Sequence, residues 1–341
     1  MMRIGIIGTG FGSKIHVPGF RRLEDVEVVG IAGHDAKKTE EIAQKLGIAR
    51  AFSTWQELVA DPEIDAVSIA TPPYLHAEIA RVAIAKGKHI LCEKPLAMDV
   101  AEAEELARLA KEANVTNMVD FEFRVVPHFE VLKEELNAKT IGTINQVHIT
   151  WLTGGRARPG VKFGWQNETR FGGGALMNIG SHVIDYVEWL FGSIASVTAQ
   201  LDIRKPMTEG DRVADADDTC SMFLKLADGT PVTVSFSNVA IAGRGHLIDV
   251  YGQTGSYRLE NTNLKDTING FRLYKIGFDE IAEEISAPEF PAYQETSTDG
   301  RLDAFTEIAK RFVGGIRTKT SPSPSFEDGV RVQRVIEKVM K

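Results

Sequence analysis

The sequence predicts an α/β fold in its first third, a doubly wound parallel sheet, and a second domain made mainly of β-strands. Three observations lead there. Short apolar runs alternate with helical patterns, and a glycine-rich turn follows the first run. From Thr143 onward, a two-residue alternation of apolar and polar side chains replaces the helical rhythm.

The strand and helix signals of the first third follow one another in order. Asp99 and Ser53 each begin a helical pattern, with Glu102 and Gln56 placed three residues later as a capping box requires. Strands separated by helices in this way imply parallel pairing. The strand-like runs are "RIGIIG", "VEVVGIAG", "IDAVSIAT", "KHILCE" and "TNMVDFEF".

The second part of the chain carries strand signals of a different kind. The segments "INQVHITWL", "DTCSMFLKL", "TPVTVSFSNVA" and "HLIDVYG" alternate apolar and polar residues. An Asp-Gly pair in "LADGTP" separates two of them, which is a strong hairpin signal.

Composition limits the classes of function. A chain of 341 residues exceeds the usual size of one core, so two domains are expected. The net charge of -8 argues against nucleic acid or an anionic membrane as partner. No apolar run is long enough to span a bilayer, and the glycine-broken N-terminus does not resemble a signal peptide, so a cytoplasmic protein is expected.

Cysteine and histidine usage predicts neither disulfides nor a metal site. Cys92 and Cys220 are the two cysteines, and each lies in an apolar stretch that suits a reducing compartment. No cysteine or histidine cluster has the spacing of metal ligands, so we expect no metal.

The turn after the first strand resembles a dinucleotide-binding fingerprint. Gly8 and Gly10 occupy its first two positions, and Ser13 stands at the third, after Phe11 and Gly12. Gly8 permits the tight turn, and Gly10 lets a pyrophosphate approach the backbone. The alternative is a glycine-rich turn without a ligand, but further βα units follow, which favours nucleotide binding.

The end of the second strand bears on the choice of cofactor. NAD sites usually place an acid there to hold the ribose, whereas this chain has Gly33 and His34. Asp35 follows and is suited to capping the next helix. Lys37 and Lys38 supply positive charge, so we favour NADP(H) over NAD(H), although both lysines are also typical of a solvated helix face.

The stretch "IATPPYLHAEIARVAIAKGKHILCEKPLA" resembles the glucose–fructose oxidoreductase/inositol dehydrogenase (Gfo/Idh/MocA) family. The family's hallmarks are a Thr-Pro pair, a His shortly after it, and Glu-Lys-Pro after the next strand. The matching residues are Thr71, Pro72, His76, Glu93, Lys94 and Pro95.

A second resemblance lies in "RFGGGALMNIGSHVIDYVEWLFG". The family pattern is a glycine-rich turn, an Asp, a Gly, a His and then an Asp on a helix. The corresponding residues here are 172–174, Asn178, Gly180, His182 and Asp185. The segment "FEDGVRVQRVIEKV" is similar to the family's last helix.

The resemblance implies the architecture. A dinucleotide-binding Rossmann domain would cover residues 1–121. An α+β domain for substrate binding and oligomerisation would cover 122–341, with a large open, predominantly antiparallel sheet. The last helix, about 326–341, is expected to pack back on the first domain. The open face of the sheet would join a homodimer or homotetramer.

The resemblance also assigns chemistry to Glu93, Lys94 and Pro95. Lys94 would place an ammonium beside the nicotinamide and a substrate oxygen, where it lowers the barrier as negative charge grows on that oxygen. Pro95 would fix the aim of Lys94, and Glu93 would orient Lys94 or the cofactor ribose. The alternative is an exposed ion pair of little consequence.

By the resemblance, His182 would be the proton-transfer residue. Histidine suits this role because its unperturbed pKa lies near neutrality. Asn178 departs from the family, which commonly has an Asp one helical turn before the His. Asparagine keeps the shape and hydrogen bonding without the charge. This departure keeps open a catalytically impaired protein.

Three further residues are candidates for the site. Trp165 stands where some relatives place an aromatic beside the nicotinamide, and a core or interface position is an equal alternative. Glu122 and Arg124 either line the substrate pocket or pair on the surface. The candidate cofactor-binding residues are therefore Gly8, Gly10, Phe11, Gly12, Ser13, Gly33, His34, Lys37, Lys38, Thr71, Pro72, His76, Glu93 and Trp165.

The sequence thus favours an NAD(P)-dependent oxidoreductase that moves a hydride between the nicotinamide and a sugar, polyol or sugar derivative. The alternative is a cofactor-binding regulator or ligand sensor on the same fold. The presence of Lys94 and His182 favours the enzyme, whereas Asn178 favours the regulator. The sequence defines neither the sugar nor the direction of the reaction.

Overall fold

The computed structural model describes residues 1–293 and 299–341. The chain divides into two compact units. The first comprises residues 1–122 and 291–334, and the second comprises residues 123–290 and 335–341. The first unit is therefore completed by residues 291–334, which follow the larger segment of the second unit in the sequence.

The first unit contains a six-stranded parallel sheet. Its strands are β1 (Met2–Ile7), β2 (Val26–Ala32), β3 (Arg50–Phe52), β4 (Ala66–Ile69), β5 (His89–Cys92) and β6 (Asn117–Val119). They lie in the order β3-β2-β1-β4-β5-β6, the order of a Rossmann fold. The predicted doubly wound parallel sheet is confirmed.

Helices connect these strands. They are α1 (Val17–Arg21), α2 (Ala36–Leu46), α3 (Trp55–Ala60), α4 (His76–Ala85) and α5 (Val100–Glu112), and a π-helical segment, Gly12–His16, leads into α1. Asp99 caps α5, because its carboxylate accepts a hydrogen bond from the Glu102 N–H at 2.8 Å, as predicted.

The predicted start of α3 was wrong by one residue. Thr54, not Ser53, caps the helix, since the Thr54 hydroxyl accepts from the Glu57 N–H at 3.2 Å. The Glu57 carboxylate accepts from the N–H of Ser53, one residue before the position that a capping box uses.

The second unit contains a mixed, mostly antiparallel sheet of eight strands and a separate two-stranded ribbon. The strands are β7 (Ile144–Leu152), β8 (Ile194–Asp202), β9 (Thr208–Glu209), β10 (Arg212–Val213), β11 (Thr219–Leu226), β12 (Pro231–Ser237), β13 (Gly245–Gly252), β14 (Gly255–Asn261), β15 (Arg272–Gly277) and β16 (Glu283–Ile285). The large sheet runs β16-β15-β14-β13-β7-β12-β11-β8, and only the β7–β12 pairing among these described strands is parallel.

One face of this sheet is buried and the other carries exposed side chains. On β11, Cys220, Met222 and Leu224 are buried, whereas Phe223 on the opposite face is 67% exposed. Helices α6 (Pro127–Asn137) and α7 (Ser181–Phe191) belong to the same unit. The Asp-Gly turn joins β11 to β12 with Gly229 at φ 93°, which confirms the predicted hairpin.

The last two helices are α8 (Arg301–Thr318) and α9 (Phe326–Met340). In the first unit, Phe305 of α8 packs against Phe20 of α1, with ring centroids 5.4 Å apart. The Phe326 N–H at the start of α9 donates to the Asn117 side chain of β6 at 2.8 Å.

Cys92 and Cys220 are both buried and unbridged. Among the helices of residues 1–293 and 299–341, none combines the length and apolarity that a membrane span requires.

Candidate active site

The glycine turn after β1 has the shape that a dinucleotide requires. Gly8 has φ +124°, and a Cβ there would lie 2.2 Å from the Ala70 carbonyl oxygen, so a side chain is excluded. A Cβ on Gly10 would meet no atom within 4 Å, which leaves open space beside the backbone. Gly12 packs closely on Ile6. Open space at Gly10 and close packing at Gly12 are what the fingerprint uses for pyrophosphate approach and for helix–strand packing.

The other two residues of the turn have partners within the first unit. The Ser13 hydroxyl donates to the Thr9 carbonyl oxygen at 2.8 Å and so stabilises the turn itself. The guanidinium of Arg301, from α8, lies 5.0 Å from the centre of the Phe11 ring. Sequence reasoning missed Arg301, because it is far from the glycine turn in the chain.

The acid that follows the end of β2 is Asp35, and the basic side chains of Lys37 and Lys38 come after it on α2. Asp35 caps α2, and its carboxylate accepts from the Lys38 N–H at 3.0 Å. His34, Lys37 and Lys38 are exposed. Gly33 has no room for a side chain, since a Cβ would lie 2.6 Å from the Thr9 side chain. Asp35 therefore acts as the N-cap of α2, as the sequence predicted.

His76 joins two turns at the carboxyl edge of the sheet. Its ring nitrogens lie 2.8 Å from the Pro95 carbonyl oxygen and 2.9 Å from that of Thr71, and the residue is fully buried. Burial lowers the pKa of His76, whereas the two carbonyl groups oppose that change. The contacts tie the turn of Thr71 and the partly exposed Pro72 to the turn that carries Lys94.

Lys94 is partly buried, directly after β5. Its backbone N–H donates to the Glu93 carboxylate at 3.3 Å. Burial lowers the pKa of Lys94 below its usual range, and the negative charges of Glu93, Glu122 and Asp120 oppose the change. The Glu93-Lys94 pair is therefore not the exposed ion pair of the alternative interpretation.

A cluster that the sequence did not predict surrounds Glu93. His16 Nε2 lies 3.1 Å from Glu93 Oε1 and 4.0 Å from Asp120 Oδ2. One nitrogen or oxygen atom from each of His16, Glu93 and Asp120 lies within 4.8 Å of the others, so the three groups form one compact cluster. Sequence spacing gave no sign of it. The available signal was that Glu93 and Asp120 each directly follow a parallel strand.

Glu122 and Arg124 are both buried, so the predicted alternative of a surface pair was wrong. Burial raises the pKa of Glu122 to about 7, the Glu93 charge adds to the rise, and Arg301 and Lys94 oppose it. Arg124 instead donates two hydrogen bonds to Asp185 of α7, at 2.9 and 2.6 Å.

In the second unit, the glycine-rich turn leads into a π-helical segment, Leu176–Gly180, and then into α7. The Asp217 carboxylate accepts from the Leu176 N–H at 2.9 Å, and its carbonyl oxygen accepts from the Ala175 N–H at 2.8 Å. Burial raises the pKa of Asp217 to about 6, although the Leu176 hydrogen bond favours its ionised form. Asp217, which sequence reasoning missed, thus holds the start of the helical stretch.

This stretch carries His182 and Asn178. His182 is buried, with its ring 5.1 Å from that of Phe123 in an edge-to-face contact. Asn178 lies one helical turn earlier and is exposed. Trp165 begins a separate 3-10 turn, Trp165–Asn167, and is partly exposed, which does not fit a fully buried core position.

An open depression of about 660 Å³ lies elsewhere on the first unit. It is lined by residues at the amino ends of β1, β4 and β5, among them Asp65, Lys88 and His89. None of the predicted site residues contributes to it.

Comparison with known families agrees with this description. The sequence model of an oxidoreductase family with an NAD-binding Rossmann fold, Gfo/Idh/MocA, matches residues 2–121. The model of the same family's C-terminal alpha/beta domain matches residues 133–341.

Individual relatives match over nearly the whole chain. An uncharacterised oxidoreductase of Synechocystis is 35% identical, over 98% of this chain and 92% of its own. Levoglucosan dehydrogenase of Pseudarthrobacter phenanthrenivorans is 30% identical, over 100% and 95% of the two chains. Myo-inositol 2-dehydrogenase of Thermotoga maritima is 25% identical, over 96% and 92%.

Among solved structures, levoglucosan dehydrogenase in complex with NADH and levoglucosan superposes with a TM-score of 0.87 at 27% identity, covering 99% of this chain and 96% of that one. The glycine turn, the Glu-Lys-Pro motif, the two matched domains and these relatives agree. The chain belongs to the Gfo/Idh/MocA family of oxidoreductases, with an NAD-binding Rossmann domain and the family's C-terminal α/β domain.

Proposed function

We propose that this protein is an NAD(P)-dependent dehydrogenase or reductase that acts on a CH–OH group of a sugar, polyol or sugar derivative. The observation that carries the proposal is Lys94, a partly buried lysine at the carboxyl edge of a Rossmann sheet, where such sheets bind their ligands. The levoglucosan and myo-inositol dehydrogenases among its relatives support this substrate class.

The nicotinamide, when bound, accepts or returns the hydride. Lys94 acts on the oxygen of the reacting carbon, where negative charge develops as the hydride leaves. A fixed ammonium in a partly desolvated position stabilises that charge more than water does. The buried carboxylates near Lys94 favour its ammonium form and so oppose the effect of burial.

His182 takes the hydroxyl proton during oxidation and returns it during reduction. General acid–base help of this kind is worth roughly 10²- to 10⁴-fold. Asn178, one turn away and exposed, supplies a hydrogen-bonding amide to the substrate without a charge.

The cofactor proposal is NADP(H) in preference to NAD(H). The fit of the glycine turn supports a dinucleotide, and the exposed Lys37 and Lys38 provide positive charge beside the end of β2. Asp35 is engaged in capping α2, so no acid at that strand end is committed to a ribose hydroxyl. Thr71, Pro72, Glu93 and Trp165 complete the proposed cofactor contacts.

We further propose a cytoplasmic homo-oligomer, a homodimer or homotetramer formed through the exposed face of the C-terminal sheet. The exposed Phe223 on that face supports the assignment.

The test is an absorbance assay of nicotinamide reduction with levoglucosan, myo-inositol and a panel of aldoses, using NADP and NAD in turn. Turnover of at least one polyol or sugar is expected. Tight cofactor binding without turnover of any candidate substrate would instead favour a regulator or ligand sensor. That alternative rests on Asn178, which stands where the family commonly has an Asp.

A further inference from the structure

Three side chains of the first unit, those of Ser68, His16 and Glu93, form a continuous hydrogen-bonded row next to Lys94. The Ser68 hydroxyl lies 2.8 Å from His16 Nδ1, and His16 Nε2 lies 3.1 Å from Glu93 Oε1. Glu93 Oε2 in turn accepts from the Lys94 N–H. Asp120 lies beside this row, 4.0 Å from His16 Nε2.

The partners define which nitrogen of His16 carries a hydrogen. Nε2 faces a carboxylate oxygen, which can only accept from it, so Nε2 donates. Nδ1 can then accept from the Ser68 hydroxyl. Ser68 and His16 are fully buried, and the His16 ring stacks on Phe305 with centroids 4.1 Å apart, so the ring is held in one orientation.

The charges around Lys94 do not balance if every acid is ionised. Glu93, Asp120 and Glu122 face two cations, Lys94 and Arg301, and Arg301 already forms a two-pronged ion pair with Asp299. Glu93 and Asp120 have carboxyl oxygens within 4.8 Å of each other. Two buried carboxyl groups at that separation do not both ionise readily, so one of them keeps a proton.

The hydrogen-bond partners decide which acid keeps the proton. Glu93 accepts from the His16 ring and from a backbone N–H, and both contacts favour its ionised form. Asp120 is 2% exposed, and neither of its oxygens has a hydrogen-bond donor among the described residues. An uncharged acid suits that position better than a carboxylate.

We propose that His16 and Asp120 are positioning residues for Lys94, with a proton resident on Asp120 so that Glu93 alone is the fixed negative charge beside the ammonium. The inference rests on the proposed function, because Lys94 is the group it serves. His16 holds Glu93 ionised, Asp120 donates its proton toward the Glu93 carboxylate, and Glu93 keeps Lys94 protonated and aimed.

The pKa directions agree with this geometry. Burial and the neighbouring charges of Glu93 and Glu122 hold the pKa of Asp120 well above its usual range. Burial would raise the pKa of Glu93, but the His16 hydrogen bond and the Lys94 charge bring it below its ordinary value. The titratable groups facing this set are Lys94, Glu122, Arg301, His76 and the thiol of Cys92, whose pKa burial raises well above neutrality.

The first experiment measures the pH dependence of kcat/KM in His16→Phe and His16→Gln. Phenylalanine keeps the ring on Phe305 but cannot donate to Glu93, whereas glutamine keeps a donor. The alkaline limb should move to lower pH by about one unit in His16→Phe, because a less ionised Glu93 attracts the Lys94 ammonium less. His16→Gln should restore most of the wild-type pH profile. The matched control is His89→Gln, because His89 lies at the amino end of β5, away from Glu93 at its carboxyl end.

The second experiment requires no turnover. Infrared spectra at about pH 9, where Glu122 with its pKa of about 7 is ionised, should contain a carbonyl band of a protonated carboxylic acid that disappears in Asp120→Asn and remains in Glu122→Gln. If Asp120→Asn removes no such band, Asp120 is ionised and the inference is overturned.

The two proposals fail in different ways. A wild-type rate in Lys94→Ala would overturn the proposed function and the positioning role together. A large loss in Lys94→Ala with an unshifted alkaline limb in His16→Phe would overturn this inference alone.

Discussion

At the scale of single residues, Glu122 should make the free energy of unfolding depend on pH. Its pKa is raised from 4.5 to about 7, chiefly by burial, so the folded state binds its proton more tightly than the unfolded chain does. The stabilisation is complete below about pH 4.5, is lost as the pH rises toward about 7, and stays lost above that.

Replacing Glu122 by glutamine removes this dependence. Relative to wild type, Glu122→Gln should become more stable by about 1–3 kcal/mol between about pH 4.5 and about pH 8. Urea unfolding of both proteins across this range measures the difference. A stability difference that stays constant with pH would contradict the assignment of a buried, proton-binding Glu122.

His34 offers a single-residue test of cofactor preference. It is exposed at the end of β2, so an aspartate fits there, whereas a side chain at Gly33 would clash with Thr9. In His34→Asp, the dissociation constant of NAD divided by that of NADP should fall about tenfold, equivalent to about 1.4 kcal/mol in favour of NAD.

The matched variant for that change is His34→Asn, which has the same shape without the charge and should move the ratio far less. Fluorescence titration with each cofactor measures the constants. Wild-type protein that binds NAD more tightly than NADP would show that the preference was assigned wrongly.

At the scale of elements, the Arg124–Asp185 pair joins the turn Glu122–Val125 to α7. Both side chains are at most 5% exposed, and the pair is bidentate. Arg124→Ala leaves a buried carboxylate without this partner and should lower the free energy of unfolding by about 3–5 kcal/mol.

Arg108→Ala is the control for that prediction. Arg108 pairs with Glu112 on α5, but both side chains are more than half exposed, so the expected loss is about 0–1 kcal/mol. Equal losses in the two variants, measured by chemical denaturation, would mean that the buried pair has no special role.

Local sequence patterns predicted elements well and side-chain clusters poorly. Asp99 and Glu102 correctly predicted the start of α5, because helix capping uses residues three apart in the chain. The contact between His16 and Glu93 joins residues 77 positions apart, so it depends on the order of the strands and has no local pattern. Arg301 and Phe305 were missed for the same reason, since they reach the first unit only through the return of residues 291–334.

At the scale of the whole molecule, the exposed sheet face predicts self-association. Phe223 on β11 lies between Thr198 of β8 and Thr233 of β12, and it is 67% exposed. Phe223→Glu should convert the proposed oligomer to a monomer, because it places a charge in the proposed apolar contact.

Light scattering coupled to gel filtration measures the mass of each protein. Phe278→Glu is the control, since Phe278 is also highly exposed but follows the end of β15. A monomeric wild-type protein would contradict the proposed interface. A Phe223→Glu variant with the same oligomeric mass as the wild type would contradict it as well.

We propose that Lys94 and His182 act on the reacting substrate while other residues bind the cofactor. The most direct measurement is the single-turnover rate of hydride transfer, with a polyol or sugar that the wild type oxidises, in Lys94→Ala and His182→Ala. Each variant should lose about 10²-fold or more in rate, with cofactor affinity close to wild type, and Lys86→Ala at the exposed end of α4 should lose nothing. Hydride transfer at the wild-type rate in both site variants would contradict the account.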